Sequence, residues 1–195
     1  MASSGSNASP LAAAITYAIG CVSNVTPGVL SWPTPCAGWD VVMLLRHLND
    51  SLAAVHEGIG AGQIGLEPAD PSVGDQGVDL VATFCDLACG LLATSVTADC
   101  QPWPITIAGR RPPASVRMSV AAVAVAVHGW DVACACQRLQ PIPPALAAAL
   151  LQVVPPLAPL ATRSALFAVP LQASPSDQLI AWFGRNPQRG HLSRA

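Results

Sequence analysis

From Val120 to Val127 every residue is valine or alanine, and the run ends on His128, with Asp131 less than one turn further on. A helix that is apolar on all sides belongs in the middle of a fold, because no face of it suits water. The same run is too short for a membrane span, which needs about 20 apolar residues with a satisfied backbone. The other long apolar stretch, Ala145 to Ala161, is interrupted by Pro155, Pro156 and Pro159. The sequence therefore predicts a central buried helix over residues 114–138 and a chain that neither enters nor crosses a membrane.

A buried helix needs others around it, and the remaining pattern supplies them. Ser9-Pro10 reads as an N-cap with proline at the first helical position, and Leu11, Ile15, Ala18 and Val22 follow at helical spacing. Thr26-Pro27-Gly28 ends that helix, and Trp32 with two nearby prolines marks an ordered loop. Val41, Leu44, Leu45, Leu48, Leu52 and Val55 form one apolar stripe on a helix predicted from Trp39-Asp40 to Glu57. Residues 58–77, rich in Gly, Pro and Asp, read as a long loop and candidate lid. A further helix is expected over residues 78–96, and a short extended piece at Ile105 to Ile107. After the central helix come a helix over 145–154, an extended edge at Ala165 to Pro170, and a last helix over 176–183 closed by Gly184. The expected architecture is mainly α: an antiparallel four-helix bundle over residues 1–140, with residues 141–195 packed on it as an appendage of the same domain.

Composition narrows the function classes. Only 10% of residues are charged and 52% are hydrophobic, with mean hydropathy +0.47, against about 25% charged in an average soluble domain. A roomy apolar pocket or a homodimer seam would absorb that excess. All nine basic residues are arginine, only Arg110 and Arg111 are adjacent, and the net charge is −2. Nucleic-acid binding requires a concentrated positive face, so that class is excluded. The first ten residues are small and polar, which predicts no secretion signal and a cytoplasmic, reducing location. The seven cysteines contain no CxxC pair and are expected to be small buried apolar residues, although Cys85 and Cys89 lie one helical turn apart.

Polar residues on buried helices carry the candidate chemistry, because burying them costs free energy unless they are paired or used. His47 lies among Leu44, Leu45 and Leu48, and His128 ends the central helix. Imidazoles on two facing helices can share a metal or exchange protons near neutral pH. A third metal ligand belongs one turn before His128, where the sequence has Ala124. Asp131 and Asp50, three residues after each histidine, can orient an imidazole. Trp39, Trp103 and Trp130 can wall an apolar or aromatic substrate, or simply pack in the core. Arg185 can brace an acid such as Asp131 or receive an anionic group. His56 falls on the far side of its helix, and His191 lies in the tail.

Three motifs occur in a familiar order. Trp32-Pro-Thr-Pro-Cys36-x-x-Trp39 followed by Leu44-Leu-x-His47-Leu48, then Val127-His128-Gly-Trp130-Asp131, then Ile180-Ala-Trp-Phe-Gly184-Arg185-Asn-Pro187 together resemble the mycothiol-dependent maleylpyruvate isomerase family of DinB-like helical bundles. The resemblance implies a divalent metal, usually zinc, held by two histidines and a carboxylate, and mycothiol as co-substrate. It places the histidines at His47 and His128 and the carboxylate at Ala124, which cannot ligate. Two neutral imidazoles hold a dication far more weakly than two imidazoles with a carboxylate. Three readings follow. The first is an enzyme on a small apolar molecule (isomerisation, cyclisation or thiol addition) with His47 and His128 as acid and base, Asp131 orienting one of them, and a degenerate or absent metal site. The second is a non-catalytic bundle that binds a small molecule or docks a partner. The third is zinc–thiol chemistry with a replacement ligand from Asp50, Asp131, solvent or substrate.

Overall fold

A computed structural model of the chain describes residues 9–61, 79–97, 114–138, 140–157 and 173–190. Six α-helices appear there: α1 Pro10–Val22, α2 Val41–Ala61, α3 Leu80–Thr97, α4 Ala114–Ala135, α5 Pro144–Leu157 and α6 Pro175–Trp182. Among the described residues there are also two short 3-10 turns, Pro27–Val29 and Pro187–Gly190, and one isolated bridge between Pro33 and Asp40. The extended pieces expected at Ile105 to Ile107 and Ala165 to Pro170, residues 62–77 of the expected lid, Trp103 and His191 lie outside the described residues.

The helices form a bundle. α1 packs along α4 and α2 along α3, while α1 also meets α3 and α2 meets α4. Ile15, Leu44, Leu48, Phe84, Leu91 and Ala126 are fully buried between them. α4 and α1 approach closely at Gly129, where a Cβ would lie 3.2 Å from both Cα and Cβ of Ala18. Within the C-terminal segment the Ser176 hydroxyl accepts from the Ile142 N–H at 3.0 Å, and α5 lies against α6 and against α4 and α1 of the bundle. The C-terminal segment is thus fastened to the bundle. By length and composition the window Met118–Ala135 on α4 could cross a membrane, yet 61% of it is buried inside the protein. It is the core helix of the bundle.

Helix ends follow local chemistry. The Ser9 hydroxyl accepts from the Ala12 N–H at 3.2 Å and Pro10 opens α1. α2 runs to Ala61 rather than stopping at Glu57: Gly58 and Gly60 each cost only about 1 kcal/mol in a helix, a weak stop signal beside the favourable propagation of a helix already formed. α4 stops at Ala135, short of the expected Arg138. Gln137 adopts φ 55°, and the N–H groups of Gln137 and Arg138 turn back to the carbonyls of Cys134 and Ala133 at 3.0 and 2.8 Å. That is a Schellman closure with a non-glycine in the left-handed position. α5 continues to Leu157, so Pro155 and Pro156 fall inside its last turn instead of beyond it.

Candidate functional site

Three segments deliver the site. The loop before α2 folds tightly on itself. The N–H of Thr34 donates to the Trp39 carbonyl at 2.9 Å and the N–H of Trp39 to the Cys36 carbonyl at 3.0 Å. The Thr34 hydroxyl accepts from the Cys36 N–H at 3.1 Å, and Gly38 supplies the positive φ of 80° that the turn requires. Asp40 then caps α2, its carboxylate accepting from the Met43 N–H at 2.8 Å. This loop holds the Cys36 thiol over α4. At the other end of the chain, α6 closes with its own Schellman turn. Gly184 has φ 74°, and the N–H groups of Gly184 and Arg185 bond to the carbonyls of Ala181 and Ile180 at 2.9 and 3.2 Å. That turn aims Arg185 at α4.

The segments meet at Asp131, whose side chain is fully buried. Its Oδ2 accepts from His128 Nδ1 at 3.1 Å, from the Cys36 thiol at 3.2 Å and from Arg185 Nη2 at 2.9 Å. Oδ1 accepts from Arg185 Nε at 3.3 Å. Arg185 Nη2 also donates to Cys36 Sγ at 3.3 Å, and Nη1 to the Phe183 carbonyl at 2.9 Å. Burial pushes the Asp131 carboxyl up, but hydrogen bonds from His128 and Arg185 and the charge of Arg185 outweigh it, holding the group below its usual range. Cys36 is pushed up to about 11, by burial first and then by the charge of Asp131, with Arg185 opposing. The cluster therefore contains an ionised carboxylate, a guanidinium and a protonated thiol at neutral pH.

His47 and His128 come together. Their ring centroids are 5.1 Å apart at 89°, and Trp39 meets His47 edge-on at 5.0 Å. Burial, followed by the neighbouring His128, holds His47 below its ordinary value of 6.5. With the Asp131 carboxylate accepting at Nδ1, the neutral ring of His128 carries its proton there and presents a basic Nε2. His128 and Arg185 form the polar edge of a cavity of about 320 Å³ whose walls include Val123, Ala124, Val127 and Phe183. The size and lining suit a small apolar molecule with one polar end.

Of the expected site residues, the structure brings together His47, His128, Asp131, Arg185 and Trp39. Trp130 sits in the core at 4% exposure rather than on the cavity wall. Asp50 is exposed and acts on His47 only through its charge. By sequence Cys36 is one cysteine among seven and reads as a buried apolar residue; instead it is half-buried with polar partners. The signal was its place inside the tryptophan–proline motif. Cys85 is half-buried and Cys89 exposed, so neither is the buried apolar residue expected, and both are free thiols.

The model for the mycothiol maleylpyruvate isomerase N-terminal domain matches residues 11–133. The chain belongs to this family. Comparison with curated proteins and with solved structures returned no significant match. The matched span contains Cys36, His47, His128 and Asp131, while Arg185 lies outside it. A metal held by His47, His128 and a carboxylate one turn before His128 does not fit this chain, because Ala124 presents only a methyl to the cavity. A different group, Cys36, His128 and Asp131, has its ligand atoms within 4.8 Å of one another and is spaced closely enough to hold a metal.

Proposed function

We propose that the protein is a small-molecule enzyme of the mycothiol maleylpyruvate isomerase family that works by proton transfer, with His128 as general base, His47 as its acid partner and no step routed through a metal. The carrying observation is the bond from His128 Nδ1 to the buried Asp131 carboxylate at 3.1 Å, itself anchored by Arg185 at 2.9 Å. An imidazole oriented in this way keeps one tautomer and points the other nitrogen at a ligand. The depressed proton affinity of His47 leaves it neutral at pH 7, so it serves as acid only after taking up a proton within the cycle.

The substrate is an apolar or aromatic molecule with one polar end, matched to the valine-walled cavity beside His128 and Arg185. The family name supplies the chemistry to try first: addition of the mycothiol thiol to a cis-unsaturated acid, rotation, and elimination to the trans isomer. His128 Nε2 takes the thiol proton as sulfur bonds to carbon, and returns a proton when that bond breaks. Asp131 fixes the ring throughout, Arg185 keeps Asp131 ionised, and Trp39 backs His47. A cytoplasmic location fits the free thiols of the described cysteines.

The test is cis–trans conversion of an unsaturated monocarboxylic acid with an apolar or aromatic body, with maleylpyruvate as the reference substrate, in the presence of mycothiol by the wild-type protein and by His128→Gln and His47→Gln. The expected loss for His128→Gln is about 10²–10⁴-fold in kcat, the usual weight of a positioned base. A wild-type rate in both variants would defeat the proposal. Binding of substrate by calorimetry without any turnover would favour the non-catalytic binder instead, a reading that the methyl of Ala124 supports.

A further inference from the structure

The distances around Asp131 make a triangle. Cys36 Sγ lies 3.2 Å from Asp131 Oδ2, His128 Nδ1 lies 3.1 Å from the same oxygen, and Sγ and Nδ1 are 3.9 Å apart. A tetrahedral zinc with nitrogen and oxygen at about 2.0–2.1 Å and sulfur at about 2.3 Å spaces such ligand atoms roughly 3.3–3.6 Å apart. The three side chains thus already stand close to one face of a zinc tetrahedron, with a thiol, an imidazole and a carboxylate as donors. His47 is not part of this face, and neither is position 124. What lies against it is a cation of another kind: Arg185 Nη2, at 2.9 Å from Oδ2 and 3.3 Å from Sγ.

We infer that Cys36, His128 and Asp131 form a binding site for a zinc-type dication distinct from a His47–His128 site, and that Arg185 competes with the metal for it. The two states are both electroneutral, which a buried site demands. In one, the Asp131 carboxylate is balanced by the Arg185 guanidinium and Cys36 keeps its proton. In the other, the Sγ–H bond breaks, that proton leaves to solvent, sulfur bonds to the metal as thiolate, and the dication balances thiolate plus carboxylate after the guanidinium swings out. Arg185 has a route out: it is 17% exposed and hangs from the turn that closes α6. The metal would take the lone pair of His128 Nδ1, whose proton shifts to Nε2, so the metal-bound state and the proton-transfer state exclude one another. The inference stands on the triangle alone and does not depend on the enzymatic reading.

Zinc uptake by the full-length protein, measured by competition with a chromophoric chelator, tests it without any assay of activity. Arg185→Gln is expected to bind one zinc at least about tenfold more tightly than wild type, since a fixed positive charge beside the dication is removed. Arg185→Lys, which keeps the charge and loses the fork, should fall between the two and serves if the glutamine variant does not fold. In the Arg185→Gln background, Cys36→Ser should abolish the gain, and cobalt in place of zinc should give a thiolate-to-metal charge-transfer band that Cys36→Ser removes. His47→Ala should leave the affinity unchanged. Equal affinity in wild type, Arg185→Lys and Arg185→Gln would overturn the inference. So would zinc that is lost in His47→Ala and retained in Cys36→Ser.

Discussion

Asp131 is a fully buried carboxylate serving three donors, and its free energy depends on all of them. Removing Arg185 leaves the charge in a low-dielectric site with only a thiol and an imidazole. Arg185→Ala is therefore expected to destabilise the fold by about 3 kcal/mol, the lower end for a broken buried pair because the guanidinium is partly solvated. The urea midpoint measures this, and an unchanged midpoint would contradict the burial of the charge. His47 adds a pH signature. Its folded value lies below the unfolded 6.5, through burial first and His128 second. The unfolded chain thus binds its proton more readily, and stability falls as pH drops below about 6.5. His47→Gln should flatten urea midpoints measured across that acid range; an unaltered slope would show that the imidazole is not buried as described. At this scale the sequence disclosed the residues whose polarity is wrong for their surroundings: two histidines and an aspartate on apolar helices. It did not disclose Cys36, because a thiol among seven acquires meaning only from partners 92, 95 and 149 residues away.

Elements were legible where hydrophobic periodicity is long and where caps are standard. Ser9-Pro10 and Ser174-Pro175 begin helices as their side chains dictate, each serine accepting from the backbone three residues on. Ends moved where the stop signal was weak, as in α2 through Gly58 and Gly60, where a non-glycine took the left-handed position, as at Gln137, and where prolines fell inside the last turn, as in α5. The α1–α4 seam was not legible at all, since nothing in a His-Gly-Trp string says what faces the glycine. Gly129→Ala tests that seam. The new methyl would meet backbone of Ala18 at 3.2 Å, and backbone cannot swing aside. The gain of about 1 kcal/mol in helix propensity should be outweighed by overpacking of about 1–3 kcal/mol. Thermal unfolding is expected at lower temperature than wild type, and a rise would mean that the helices can separate without cost.

At the scale of the molecule, the described residues place part of the apolar excess in a core helix and in an apolar cavity at its histidine. α4 satisfies the apolar excess by lying among α1, α2 and α5, and the methyl of Ala124 belongs to the cavity wall. The N-terminal loop, the central helix and the turn after α6 come from the beginning, middle and end of the chain and close on a single carboxylate. That convergence is what sequence spacing could not supply. Its direct consequence is a fixed proton on one nitrogen of His128. Nitrogen-15 spectra of the histidine rings in metal-free protein near pH 8 read this without any substrate. His128 should carry its proton on Nδ1 in the wild type and lose that preference in Asp131→Asn; a wild-type ring protonated on Nε2 would contradict the proton-transfer centre described.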